Sequence, residues 1–200
     1  MSTIAFAEIA PATAPRPDVA LLVATRADGA IAQTRFADLP RLLRPGDLLV
    51  VNNASALGPS PQPALAAYPL EELRRVLEVN LLAPLALVQE ALPHLARDAV
   101  VVDVSSDAAV EAYPGWGGYG CSKAALDHLT AILATEHPAL RVYGVDPGDM
   151  RTQLHQEAFP GEDISDRPPP EDSVPGILAL VEGSLPSGRY RAAELGAARA

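Results

Sequence analysis

Three stretches of the chain are apolar without alternation: 47–51 (Asp-Leu-Leu-Val-Val), 99–104 and 140–145. Short Val- and Leu-rich runs of this kind predict strands buried on both faces, as in a parallel sheet. Between them the apolar spacing turns helical. Leu70, Leu73, Val76, Leu77, Asn80 and Leu81 predict a long helix over 69–95, with Pro84 near its middle. Ala125, Leu129, Ile132 and Leu133 predict a second over 119–137. A third follows Pro168-Pro169-Pro170, over 171–180, and residues 187–191 can hold a last short strand. Strands alternating with helices predict an α/β fold with a parallel sheet.

The first quarter has a different pattern. Residues 1–17 are rich in Ala and Pro and read as irregular. Apolar runs over 19–25 and 30–36 flank Asp28-Gly29, which predicts a β-hairpin. A helical turn over 38–43 would end at Pro45-Gly46. Further on, residues 58–63 form a Pro-rich loop, 107–118 a Gly/Pro/aromatic loop, and 150–167 a polar, lid-like segment.

Composition narrows the classes. The chain has 200 residues, 48% of them hydrophobic, which predicts one folded domain. A net charge of −10 argues against a nucleic-acid surface. No apolar run reaches the ~18 residues a membrane span needs. Residues 1–14 lack a basic leader region and carry Glu8. A single cysteine, Cys121, excludes an internal disulfide, and the four histidines show no metal spacing, so no metal site is expected. The expected protein is acidic and cytoplasmic, with neither nucleic acid nor membrane as partner. Of its 15 basic residues 14 are arginine; Lys123 is the only lysine. A lone ammonium in an arginine-rich chain marks a position where a planar guanidinium would not serve.

Lys123 lies four residues after Tyr119, which places both on one helix face. A phenol ionises near pH ~10, and a neighbouring ammonium lowers that value, so the pair can move a proton near neutrality. Ser105-Ser106 end the 99–104 strand, and the carboxyl ends of strands in open α/β sheets are where ligands bind. A Ser106 hydroxyl there can hold a substrate carbonyl while Tyr119 protonates it; the plainer reading of a strand-end serine is a cap or turn. Asn52-Asn53-Ala54-Ser55 end another strand, and Asn80 sits in an otherwise apolar helix face, where its amide needs partners. Trp116 either shapes a substrate pocket or packs its own loop.

Asn52-Asn53-Ala54 after a strand, Val79-Asn80 in a long helix, Ser105-Ser106, Tyr119-x3-Lys123 and Pro147-Gly148-x3-Thr152 resemble the short-chain dehydrogenase/reductases in order and spacing. The resemblance covers about 47–193. It implies that Tyr119 is the general acid/base, that Lys123 lowers its pKa and binds the nicotinamide ribose, that Ser106 orients the carbonyl, and that Asn80 supports a proton relay. It places Asn52, Asn53 and Ala54 beside the cofactor and Pro147, Gly148 and Thr152 at its nicotinamide end. It further implies NADP or NAD as cofactor, a small carbonyl or alcohol as substrate, and a homodimer through the helices at 69–95 and 119–137. Ser55 departs from the glycine usual after Asn-Asn-Ala.

The family's first strand is followed by Gly-x3-Gly-x-Gly, where the backbone approaches the pyrophosphate. Before residue 53 this chain has only Gly29 and Gly46. Weak dinucleotide binding is therefore expected. Residues 1–52 resemble instead the N-terminus of the S-adenosylmethionine:tRNA ribosyltransferase-isomerases, through Leu21–Thr25, Gly29 and the stretch from Arg35 to Asn52. Together these predict a hybrid: a hairpin segment at 1–46, and at 47–200 a truncated Rossmann-like parallel sheet flanked by helices. The expected function is NAD(P)-dependent carbonyl reduction or alcohol oxidation. The alternatives are a catalytically impaired hybrid with a damaged cofactor site and, third, a tRNA-modification protein. Truncation would bare one side of the 47–51 strand, and the hairpin is expected to cover it.

Overall fold

The unalternating runs lie side by side at the centre of one sheet. The computed structural model describes residues 3–7, 20–25, 31–35 and 47–196. Its strands are β1 (Thr3–Ala7), β2 (Ala20–Thr25), β3 (Ile31–Arg35), β4 (Asp47–Asn52), β5 (Leu95–Val104), β6 (Arg141–Asp146) and β7 (Gly188–Arg191). Their order is β3-β2-β1-β4-β5-β6-β7. The ladder from β1 through β4, β5, β6 and β7 is parallel, whereas β1–β2 and β2–β3 are antiparallel.

The strand beside β4 is β1, with Ile4 opposite Leu49 and Ala7 opposite Asn52. This corrects two expectations. Residues 3–7 are a strand, not irregular chain, and the β2–β3 hairpin lies beyond β1 instead of against β4. Ile4 and Phe6 alternate with small residues, a pattern too short to stand out in an Ala/Pro-rich stretch. The sheet therefore has a strand in each of the three places outside β4, two of them filled by an antiparallel hairpin. The helical turn expected at 38–43 lies outside the described residues.

Successive residues of β5 and β6 point to opposite faces, so each run fills two cores. On one face Val50, Val101 and Val142 meet Leu87, Val88, Ala91 and Leu133. On the other Val51, Val100, Val102, Tyr143 and Val145 meet Leu180 and Ala192. The covering helices are α1 (Leu70–Leu77), α2 (Ala83–Ala91), α3 (Gly117–Glu136), α4 (Gln153–Ala158), α5 (Val174–Glu182) and α6 (Ala192–Gly196). A wide π-turn, Glu78–Leu82, joins α1 to α2. The helical stretch Leu70–His94 is long and apolar enough by composition to cross a membrane. Here its Val76, Leu87, Val88 and Ala91 are buried in the protein, while Leu70 and Leu82 are exposed, as is Ile132 of α3.

Strand order reverses between β1 and β4. The connection from β1 leads outward to β2, and that from β4 leads the other way to β5. In open α/β sheets a ligand binds where this divergence opens a crevice beyond the carboxyl ends of the strands. Asn52-Asn53-Ala54-Ser55, Ser105-Ser106 and Pro147-Gly148 all follow carboxyl ends of β4, β5 and β6.

Candidate active site

Tyr119 stands in the first turn of α3 and Lys123 one turn later, both buried. The Lys123 ammonium donates to the Val104 carbonyl at 2.8 Å. Its Nζ is 5.7 Å from the centre of the Tyr119 ring. Burial raises the Tyr119 pKa; the hydroxyls of Ser55 and Ser106 pull it back, and the carboxylates of Asp107 and Asp146 raise it further. The net direction is upward, with burial as its largest cause. The phenol lies in a desolvated pocket, and the ammonium is engaged by a backbone carbonyl.

Ser106 combines both readings of a strand-end serine. Its Oγ accepts from the Ala108 N–H at 3.2 Å and donates to Asp107 Oδ1 at 2.9 Å, capping the short turn Asp107–Ala109. It is also one of the two hydroxyls that act on Tyr119. Arg189 of β7 fixes its backbone: Nη2 donates to the Ser106 carbonyl at 2.8 Å and Nε to Asp127 of α3 at 2.8 Å. One guanidinium thus ties β7, α3 and the turn after β5 together.

Asn80 occupies the π-turn, a helix irregularity frequent at functional sites. Its Nδ2 donates to the Ala56 carbonyl at 2.9 Å and to Ser122 Oγ at 2.8 Å, and its Oδ1 accepts from the Ala56 N–H at 2.7 Å. The amide pins the loop after β4 to α3. Asn52 is buried and donates to Asp103 at 3.4 Å, joining β4 to β5. Ala54 is buried and Asn53 exposed. Gly148 adopts φ +79°, and its N–H donates to Asp146 at 3.0 Å, turning the chain away from β6. Thr152 caps α4 by accepting from the His155 N–H at 3.2 Å.

Sequence reasoning missed a buried carboxylate under this site. Asp103 is fully buried in β5 and accepts from Thr130 Oγ1 at 2.7 Å. Burial pushes its pKa up to about 6, against the hydrogen bonds from Thr130 and Asn52 and the charge of Lys123. Burial pushes Lys123 down to about 8, with Asp103 and Asp127 opposing the shift. Folded Asp103 holds its proton more tightly than unfolded Asp103, whose pKa is 3.8. Its contribution to stability is therefore present below that value and is lost as pH rises to about 6, by about 3 kcal/mol. Lys123 has the opposite sense: its folded state sheds a proton early, so stability grows from about pH 8 upward. Asp103→Asn is expected to gain on the parent protein between pH 4 and 6 when urea unfolding is followed across that range. Parallel pH profiles for the two proteins would contradict the assignment.

The nicotinamide half of a dinucleotide fits these residues. Ser105 Oγ is buried without a partner at the carboxyl end of β5, leaving polar capacity for a ligand. The sequence from Glu8 to Asp28, after β1, contains no glycine, the residue that lets a backbone approach a pyrophosphate most closely.

The Tyr-x3-Lys helix start and the strand-end serine thus lie together at the carboxyl ends of a parallel sheet whose strand order reverses. Residues 24–163 match the family described as short chain dehydrogenase, and the chain belongs to that family. It is 36% identical over 127 residues to sepiapterin reductase of Rattus norvegicus, a match covering 60% of this chain and 48% of the relative. It is 36% identical over 115 residues to a benzil reductase ((S)-benzoin forming) of Saccharomyces cerevisiae, covering 54% and 44%. The chain spans about half the length of these curated relatives. Among solved structures, a short chain dehydrogenase of Shigella flexneri 2a complexed with NADP superposes with a TM-score of 0.71 at 28% identity, covering 78% of this chain and 70% of that one. The family match starts inside the segment assigned to the tRNA ribosyltransferase-isomerase pattern, and these comparisons lend that hybrid reading no support.

Proposed function

We propose that this protein reduces a small carbonyl compound with NADPH, Tyr119 acting as the proton donor. The observation that carries the reading is the buried Tyr119 phenol in the first turn of α3, with the Lys123 ammonium 5.7 Å from its ring. A phenol, with its ordinary pKa of about 10, carries its proton at neutral pH, the form required of an acid. The NADP complex of the Shigella relative and the reductase names of the sequence relatives agree with this direction. A bound reduced nicotinamide would supply the hydride for the carbonyl carbon; Tyr119 Oη gives its proton to the carbonyl oxygen, so that C=O becomes CH–OH. Ser106 orients the carbonyl oxygen. Lys123 and the loop held by Asn80 would hold the nicotinamide ribose, together with Asn53, Ala54, Pro147, Gly148 and Thr152. Incubation of the purified protein with NADPH and a panel of aldehydes, ketones and diketones tests the reading through loss of NADPH absorbance. No consumption with any of them at millimolar NADPH rejects it.

A second reading, an impaired enzyme, is favoured by the glycine-free stretch after β1. Several charge-assisted hydrogen bonds to phosphate, at about 1.5–3 kcal/mol each, would be missing. NADPH is accordingly expected to bind with a dissociation constant well above micromolar in calorimetry. Micromolar affinity would mean that the segment after β1 has built a phosphate site of another kind.

A further inference from the structure

The side chain of Arg189 leaves its own strand and serves the ends of others. Arg189 lies in β7, opposite Gly144 of β6. A Cβ at Gly144 would stand 3.3 Å from Asp127 Oδ1 and 4.0 Å from Arg189 Cγ, so the missing side chain leaves room above β6. Through that room the guanidinium reaches the end of β5, beyond β6. Nε donates to Asp127 Oδ2 at 2.8 Å, and Nη2 donates to the Ser106 carbonyl at 2.8 Å. Nη2 also stands 3.5 Å from Asp146 Oδ2.

Each of these partners belongs to a different part of the candidate site. Asp127 is one helical turn beyond Lys123 and two beyond Tyr119, on the same face of α3. Asp146 ends β6, is buried, and accepts from the Gly148 N–H at 3.0 Å, which sets the Pro147-Gly148 turn. Ser106 carries the hydroxyl that acts on Tyr119. Its carbonyl accepts from the Ala109 N–H at 3.1 Å within its own turn and from Arg189 across the sheet. A guanidinium spreads its donors over a rigid plane, whereas an ammonium places all of them on one atom.

We propose that Arg189 is a positioning residue for carbonyl reduction: from β7 it holds the Ser106 turn and the Asp146-Pro147-Gly148 turn at fixed places beside α3, and so sets where the Ser106 hydroxyl stands relative to Tyr119 Oη. This rests on the reductase reading of Tyr119. Arg189 acts through the two turns and takes no part in proton or hydride transfer.

Arg189→Ala tests it, with circular dichroism checking the fold. Asp146 keeps the Gly148 N–H and Arg191, whose Nε is 3.8 Å away, so the exchange does not strip that carboxylate of partners. Hydrogen exchange of the intact protein needs no turnover. The amides of 108–111 are expected to exchange at least about tenfold faster in the variant, while those of 100–104 in β5 stay as in the parent. In NADPH-dependent reduction of the carbonyl compound the parent consumes fastest, kcat is expected to fall about 10- to 100-fold with little change in the carbonyl KM. Arg189 lines a cavity of about 240 Å³ between α3, β6 and β7, together with Asp127, Thr130, Gly144 and Gly188. Guanidinium chloride far below denaturing concentration can enter there and is expected to restore part of the rate; ammonium chloride at equal concentration is not. Arg189→Lys should show both effects in the same direction and smaller, and it carries the test where the alanine variant does not fold. Unchanged exchange at 108–111 overturns the proposal whatever the rates do. Faster exchange with an unchanged kcat overturns it too. A parent that consumes no NADPH rejects the reductase reading alone, and exchange then upholds or overturns the hold on Ser106 by itself.

Discussion

Tyr119→Phe lowers the rate of NADPH-dependent carbonyl reduction by a factor of about 10²–10⁴, the usual contribution of a positioned acid. The fold is expected to tolerate it. The phenyl ring keeps the edge contact with Trp116 and the packing against Leu57 and Ala108. What disappears is the phenolic proton, on which the Ser55 and Ser106 hydroxyls act. Initial rates at saturating diketone and millimolar NADPH measure the effect, and a thermal melt of the same preparations separates it from unfolding. Activity surviving in the variant would remove Tyr119 from the chemistry and with it the mechanism.

Lys123→Arg is expected to cost about 3–5 kcal/mol of unfolding free energy, the range for disrupting a buried charge arrangement, and to abolish turnover. In a chain that otherwise uses arginine for every cation, the exchange looks conservative. The site argues otherwise. Lys123 is 2% exposed and directs its ammonium to one carbonyl, that of Val104. Its pKa of about 8 lets it give up its charge in mild alkali. A guanidinium keeps its charge, is bulkier, and brings five donors in a fixed plane. Urea unfolding at pH 7 is the measurement; a variant as stable as its parent would show that the pocket around Lys123 is more open than its burial implies.

The parts of the fold legible in the sequence are those in which one physical requirement acts over several adjacent residues. β4, β5 and β6 are buried on both faces, so their Val and Leu runs stand out, and the helices beside them keep their spacing. β1 was not legible, because Thr-Ile-Ala-Phe-Ala has two large apolar residues and its partner β4 is more than forty residues away. At the site, Ser106, Tyr119, Lys123 and Asn80 could be found because helix and strand geometry fix short spacings. Arg189 could not: it reaches Asp127 and the Ser106 carbonyl across 62 and 83 residues. The direction of the Tyr119 shift was equally hidden. It depends on how completely Leu57, Trp116 and Ala158 exclude water, and no local spacing encodes that.

The antiparallel hairpin beyond β1 also bears on the order in which the sheet can assemble. A parallel crossover needs a dozen or more residues, and its partner strand must wait for them. Here β1, β2 and β3 form an antiparallel meander in which each strand pairs with its neighbour in sequence, all within residues 3–35. Both of those ladders need only residues 3–35 and none of the chain from β4 onward. Hairpins close in microseconds, far faster than residues are added to the chain. β4 then meets a ready-made template in β1, and the parallel half of the sheet grows outward from it one strand at a time.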